Sequence, residues 1–183
     1  MEGKTQIPAH EIVIAQTKEE IQECYDVRIT VFHIEQKFPL ETEIDEYDST
    51  ATHFLLRLTP SLTPVGTIRA NHTPGGYYKL SRLAVLKEYR NFKFGGALVL
   101  ALHAWVKAHA AALGVDASGS AEIVCHSQLP VKGFYVKFGY EPQVRCVPPI
   151  AASLDSNEIS DRQGAEFDEE GDPHQKMVLR LPL

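Results

Sequence analysis

Arg90, Lys93, Gly95 and Gly96 fall within seven residues of one another in the stretch "LSRLAVLKEYRNFKFGGALV", Leu80 to Val99. An apolar run ending at Val85 leads into a charged turn, and the paired glycines then open a long apolar segment. The first N–H groups of a helix have no internal acceptor. Such groups, joined by cationic side chains and by glycines that let a ligand approach the backbone, hold phosphate oxygens. The chemistry this spacing supports is therefore the grip of a phosphorylated ligand, although glycines at a helix start also serve close helix packing. A nucleotide-triphosphate loop is disfavoured because no Gly-Lys-Ser/Thr follows. A dinucleotide fold is disfavoured because the strand lies mid-chain, not at the head of a repeated β-α-β series.

Other residue types point to less. Cys125 and His126 are neighbours on a predicted strand, so their side chains face opposite sides and form no local nucleophilic dyad. His103 and His109 are six apart on a predicted helix, which separates their faces, and the reading assigns no metal. The cysteines, Cys24, Cys125 and Cys146, are odd in number and widely spaced, which favours a reducing compartment.

The elements that must position the grip follow from local patterns. "EIVIAQ" (Glu11 to Gln16) reads as a strand, and Thr17-Lys-Glu-Glu20 as a capping box that starts a helix running to about Val31. Thr52 to Leu58, Pro64 to Asn71 and Tyr77 to Val85 are β-rich runs divided by Pro- and Gly-bearing junctions, which predicts an antiparallel meander. Gly95 to Leu113 is a helix that Gly114 ends. Ala121 to Ser127 is a strand reached by a helical crossover, hence parallel to the strand before it. Pro130 opens a helix over "VKGFYVKFG" that Gly139 stops, and His174 to Leu181 is the last strand. Residues 145–163 carry no sustained period and read as an exposed insertion.

The 183 residues (20.4 kDa), 44% hydrophobic and 23% charged, suit one domain over 1–183 with a sizeable core. A net charge of −6 repels a polyanion, so nucleic acid is not an expected partner. The N-terminus lacks the apolar core of a signal peptide, and the most apolar stretch is broken by His103, Lys107 and His109. The expectation is a cytoplasmic, soluble protein that does not bind a membrane. The acidic run "LETEIDEYD", Leu40 to Asp48, suggests either attraction of a cationic amine or a solvated loop.

Taken together, "RLAVLKEYRNFKFGGALV" resembles motif A of the GNAT acyltransferases, in which a strand precedes a turn of pattern Arg/Gln-x-x-Gly-x-Gly/Ala. Arg90 takes the first position, Lys93 stands where the first glycine is usual, and Gly95 takes the second. A helical conformation at 93 would suit lysine and bring its ammonium near a phosphate. "GFYVKFGYEP" (Gly133 to Pro142) resembles the late motif of that family. Arg28 to Leu56, with its Val-Phe-x-x-Glu-Gln element, and "FDEEGDPHQKM" (Phe167 to Met177) resemble the ElaA/YjcF-type branch.

The resemblance implies a mixed α/β fold whose mostly antiparallel sheet is flanked by helices, with a parallel β4/β5 pair that splays. It implies acetyl-CoA as co-substrate, with the pantetheine along Leu83, Ala84 and Val85. The pyrophosphate would lie over Arg90, Asn91, Phe92, Lys93, Phe94, Gly95 and Gly96. Acetyl transfer to the primary amine of a small molecule is the implied reaction, with Tyr135 as the acid for the departing thiolate. Candidates for the base are Glu35, His126, Asp48 and His174. A non-catalytic acyl-CoA sensor and a protein acetyltransferase are the alternatives. Edge strands near the C-terminus suit a homodimer.

Overall fold

The computed structural model describes residues 6–114, 119–143, 166–169 and 171–183, so the expected insertion at 145–163 lies outside the described residues. Among the described residues, eight strands form one sheet in the order β1-β2-β3-β4-β5-β8-β6, with β7 also paired to β8. They are β1 (His10–Ile14), β2 (Thr52–Leu58), β3 (Pro64–His72), β4 (Tyr78–Val85), β5 (Ser120–Gln128), β6 (Glu141–Pro142), β7 (Glu166–Glu169) and β8 (Asp172–Pro182). Every pairing is antiparallel except β4 with β5. The fold is thus mixed α/β, with the expected meander at its centre.

Helices cover both faces. α1 (Lys18–Arg28) starts at the capping box, Thr17 accepting from the Glu20 N–H while the Glu20 carboxylate accepts from Thr17 N–H. It buries Cys24 against Leu55 and Ala15, and Val27 against Ala84. α2 (Phe94–Ala112) lies on the opposite face, where Leu98, Leu102 and Val106 pack with Phe54, Leu56 and Ile68. Spacing of four along α2 keeps these side chains on one stripe. Alternation along β2 sends Phe54 and Leu56 to α2 and Leu55 to α1, so this strand is buried on both sides.

Two differences from the sequence reading bear on the site. The first helix does not continue in α form to Val31; at Ile29 it widens into a π-helix that runs to Glu35. A π turn accommodates an extra residue within a helix and breaks the 3.6 period, which explains why the apolar face beyond Val27 looked imperfect. The second difference is β7, which pairs with β8 through Phe167↔His174 and Glu169↔Asp172. The last helix, α3 (Lys132–Val136), is short, and Pro130 sits in the 3-10 turn before it.

Candidate active site

β4 and β5 part company in the middle of the sheet. Their parallel register covers only Tyr78↔Ile123, Lys79↔Val124 and Leu80↔Cys125, although both strands run several residues further. A bulge in β4 accompanies the separation: Thr67 faces Ala84 and Arg69 faces Ser81, so Arg82 and Leu83 together oppose Ile68. Arg82 takes a left-handed φ of 53° there. A bulge bends its strand and leaves an extra residue out of the ladder, and here it opens a wedge whose vertex lies at Leu80 and Cys125. Leu83 and Val85 line the resulting cleft, whose volume is about 1600 Å³.

The loop beyond β4 closes the far end of that cleft. A 3-10 turn, Lys87–Phe92, leads into Lys93, which has φ 61° and ψ 20° and caps α2. Lysine therefore holds the left-handed geometry, not the helical one expected from its side chain. The chain must reverse between the 3-10 turn and α2 within one residue, and the Lys93 carbonyl then accepts from Gly96 and Ala97. A left-handed non-glycine residue costs about 1–2 kcal/mol. Arg90, Lys93, Gly95 and Gly96 all line the cleft, as does Lys137 just past α3. A Cβ on Gly96 would come 3.1 Å from Phe138 Cζ, so this glycine also seats the aromatic residues after α3 against the start of α2.

Glu35 and Arg90 are brought together. The Arg90 Nη1 and Nη2 atoms donate to the two carboxylate oxygens of Glu35, each at 2.6 Å, while Arg90 Nε donates to the Val85 carbonyl. Those hydrogen bonds hold Glu35 below the usual carboxylate range. Its proton affinity is thereby reduced, which is opposite to what a general base requires.

Tyr135 is 8% exposed and lines the cleft with Phe134. Its ring meets Phe134 and Tyr140 edge-on, at centroid distances of 5.1 and 5.7 Å. Burial pushes the phenol well above its ordinary value, so at neutral pH it is a protonated O–H. Cys125 lies in the core, its thiol pushed up to about 12 by burial. It is thus poorly suited to nucleophilic chemistry.

His126 follows Cys125 and faces the other way. Pairing parity places His126, Gln128, His174, Phe167 and Glu169 on one face of β5, β8 and β7. His126 Nδ1 stands 3.1 and 3.2 Å from the two Glu169 oxygens, and His174 Nε2 stands 4.0 Å from the nearer one. The His126 hydrogen bond, with the Lys79 ammonium adding to it, holds Glu169 below the usual range. All three side chains line the cleft. Glu169 was not among the candidates from sequence, although it lies within the stretch Phe167 to Met177 that carries the resemblance to the ElaA/YjcF-type branch.

The acidic run turns inward. Asp48 accepts from Arg28 at 2.7 and 3.2 Å and from Arg69 at 2.7 Å, and Asp45 accepts from Arg69 at 2.7 and 2.8 Å. Arg82 donates to Asp45 and to the Thr42 carbonyl. Arg28 Nε lies 3.9 Å from Glu43. Three guanidinium groups thus face three carboxylates, and Asp48 is not a free base. The histidines of α2 have partners as well: His103 Nε2 pairs with the Tyr140 hydroxyl and His109 Nδ1 with that of Tyr78. Among the described residues there is no group of three or more His, Cys, Asp and Glu suited to a metal ion. Nor is any described helix long and apolar enough to cross a membrane.

A family model described as an acetyltransferase (GNAT) domain matches residues 52–142, from β2 to β6. An N-acetyltransferase of Bacillus subtilis named YjcF, itself uncharacterised, is 35% identical over 128 residues, covering 70% of this chain and 83% of that protein. The chain belongs to the GNAT acetyltransferases. Its fold is also that of ElaA from Escherichia coli, with a TM-score of 0.68 at 18% identity over 93% of this chain and 98% of that one. A candidate N-acetyltransferase from Lactobacillus plantarum superposes with a TM-score of 0.70 at 23% identity, over 94% and 99% of the two chains. Within this GNAT frame the splay, the left-handed turn at Lys93 and the tyrosine of α3 open into the same cleft.

Proposed function

We propose that this protein moves an acetyl group from acetyl-CoA to a primary amine of a small molecule by direct attack in a ternary complex. The observation that carries the reading is the wedge between β4 and β5. It opens at Leu80 and runs to the start of α2, where Lys93 and Lys137 supply positive charge beside the Arg90–Glu35 pair. An extended thiol arm suits the wedge, and a pyrophosphate suits the outward-facing N–H groups and cations at its far end. The volume of about 1600 Å³ exceeds that of an ordinary small-ligand pocket, as a site for two substrates must.

The residues then take separate tasks. The N–H groups freed by the bulge near Leu83 polarise the thioester carbonyl. The amine nitrogen attacks the carbonyl carbon, the C–S bond breaks, and the thiolate takes the Tyr135 proton. His126 accepts the proton that the amine loses. Glu35, tied to Arg90, acts on the co-substrate loop and not as the base. The reading keeps the chain as one domain, cytoplasmic, with no nucleic-acid or membrane partner.

The test is release of free thiol from acetyl-CoA in the presence of a panel of primary amines. Release that depends on the amine supports the reading. Binding of CoA in calorimetry without release on any acceptor would make the protein a sensor, and release only with peptide lysines or N-termini would make it a protein acetyltransferase.

A further inference from the structure

His126 is the first residue of β5 beyond the last β4–β5 pair, Leu80↔Cys125, and so stands beside the vertex of the wedge. A backbone position alone leaves an imidazole free to rotate and to exchange tautomers. Three features restrain this one. Glu169 receives Nδ1 at 3.1 and 3.2 Å, the Phe167 ring meets the imidazole edge-on at 4.8 Å between centroids, and His174 stacks on Phe167 at 6.1 Å. All three come from the β7–β8 hairpin, whose register carries them onto the cleft face. A carboxylate only accepts hydrogen bonds, so the hydrogen between them belongs to Nδ1.

We infer that Glu169 is a positioning residue: by accepting the Nδ1 hydrogen of His126 it fixes the ring at the wedge with Nε2 free to take the proton of the attacking amine. This rests on the acyl-transfer reading above. The carboxylate also balances the positive charge that His126 gains when the amine deprotonates. Lys79 from β4 and His174 from β8 are the other charged or titratable groups that act on Glu169. Its side chain is 40% exposed, so removing it leaves the core intact.

The experiment compares wild type with Glu169→Gln, Glu169→Ala, His126→Gln and the double variant Glu169→Gln/His126→Gln. Nitrogen-15 spectra of the histidine side chains of the free protein read the tautomer, and steady-state kinetics read turnover. The expected result is an Nδ1–H tautomer at His126 in wild type that becomes mixed in Glu169→Ala. In Glu169→Gln, kcat falls at least about tenfold with KM for acetyl-CoA unchanged, and adding that change to His126→Gln causes no further loss. An unaltered tautomer in Glu169→Ala overturns the inference, as does full kcat in Glu169→Gln of an active enzyme. A wild type that binds CoA and acetylates nothing contradicts the acyl-transfer reading instead, while the tautomer spectra still decide whether Glu169 holds the ring.

Discussion

The Glu35 carboxylate and the Arg90 guanidinium meet in a bidentate pair, both contacts at 2.6 Å, that ties the π-helix following α1 to the loop between β4 and α2. One partner is the arginine proposed to meet a pyrophosphate; the other is an acid that the π turn delivers beside it. The pair therefore places a negative charge next to the proposed phosphate site. Glu35→Gln is expected to tighten acyl-CoA binding a few-fold and Arg90→Ala to weaken it about tenfold, both read by calorimetric titration. Because both side chains are more than a third exposed, either change should alter stability by no more than about 1 kcal/mol.

Lys93 gives a prediction in which stability and binding move in opposite directions. Lys93→Gly relieves the left-handed strain at φ 61° and should raise the unfolding free energy by about 1 kcal/mol, seen as roughly 2–4 °C in Tm. The same substitution removes a cation that lines the cleft, so the affinity for CoA should fall a few-fold. A loss of stability would show that lysine's side chain contributes more than its backbone costs.

Tyr135 is expected to matter for turnover and little for folding. Tyr135→Phe keeps the ring contacts with Phe134 and Tyr140 and removes only the hydroxyl. At saturating acetyl-CoA, kcat should drop about a hundredfold, the lower end of what a positioned proton donor contributes. The midpoint of thermal unfolding should stay within a few degrees of wild type. Unchanged turnover would remove Tyr135 from the mechanism.

The arginine–carboxylate network makes a pH prediction. Burial alone would raise the Asp48 carboxyl, but the Asp45 N–H and the Arg69 and Arg28 guanidinium groups outweigh it and hold Asp48 below its ordinary value; Arg69 and Arg82 do the same for Asp45. A depressed folded value means that the stabilisation is fully present above the unfolded carboxylate pKa, about 4. It is lost as pH falls through the lower folded values. Acid unfolding followed by circular dichroism should therefore begin below about pH 4 for these groups. Asp48→Asn, which leaves Arg28 buried and partly uncompensated, should cost about 3–5 kcal/mol at neutral pH in urea unfolding.

What could be read from sequence follows the range of the interactions involved. The meander, α2 and the parallel crossover rest on local periods and on Pro and Gly at junctions, and each appears within a few residues of its expected place. That Arg90, Lys93, Gly95 and Gly96 gather at one place was legible because they are nearly contiguous in the chain, and all four line the cleft. The π turn was not, since one extra residue per turn looks like a weak α pattern. Strand β7 was not, because Glu and Asp are poor strand formers and it is held by its pairing to β8. The acidic run read as an attractor of a cationic amine or as a solvated loop because Arg28, Arg69 and Arg82 lie far from it in the chain and meet it only after the sheet forms. Glu169 reaches His126 through two registers of pairing, which no local pattern encodes.

The central claim is direct transfer from acetyl-CoA to an amine within this cleft. It is tested most directly by mass spectrometry of a reaction containing the protein, acetyl-CoA and a panel of primary amines, quantifying free CoA and N-acetylated product together. For at least one amine the two are expected in equal amounts, with no acetylated protein carried through purification. CoA bound and returned with its acetyl group intact, for every amine, would contradict that claim.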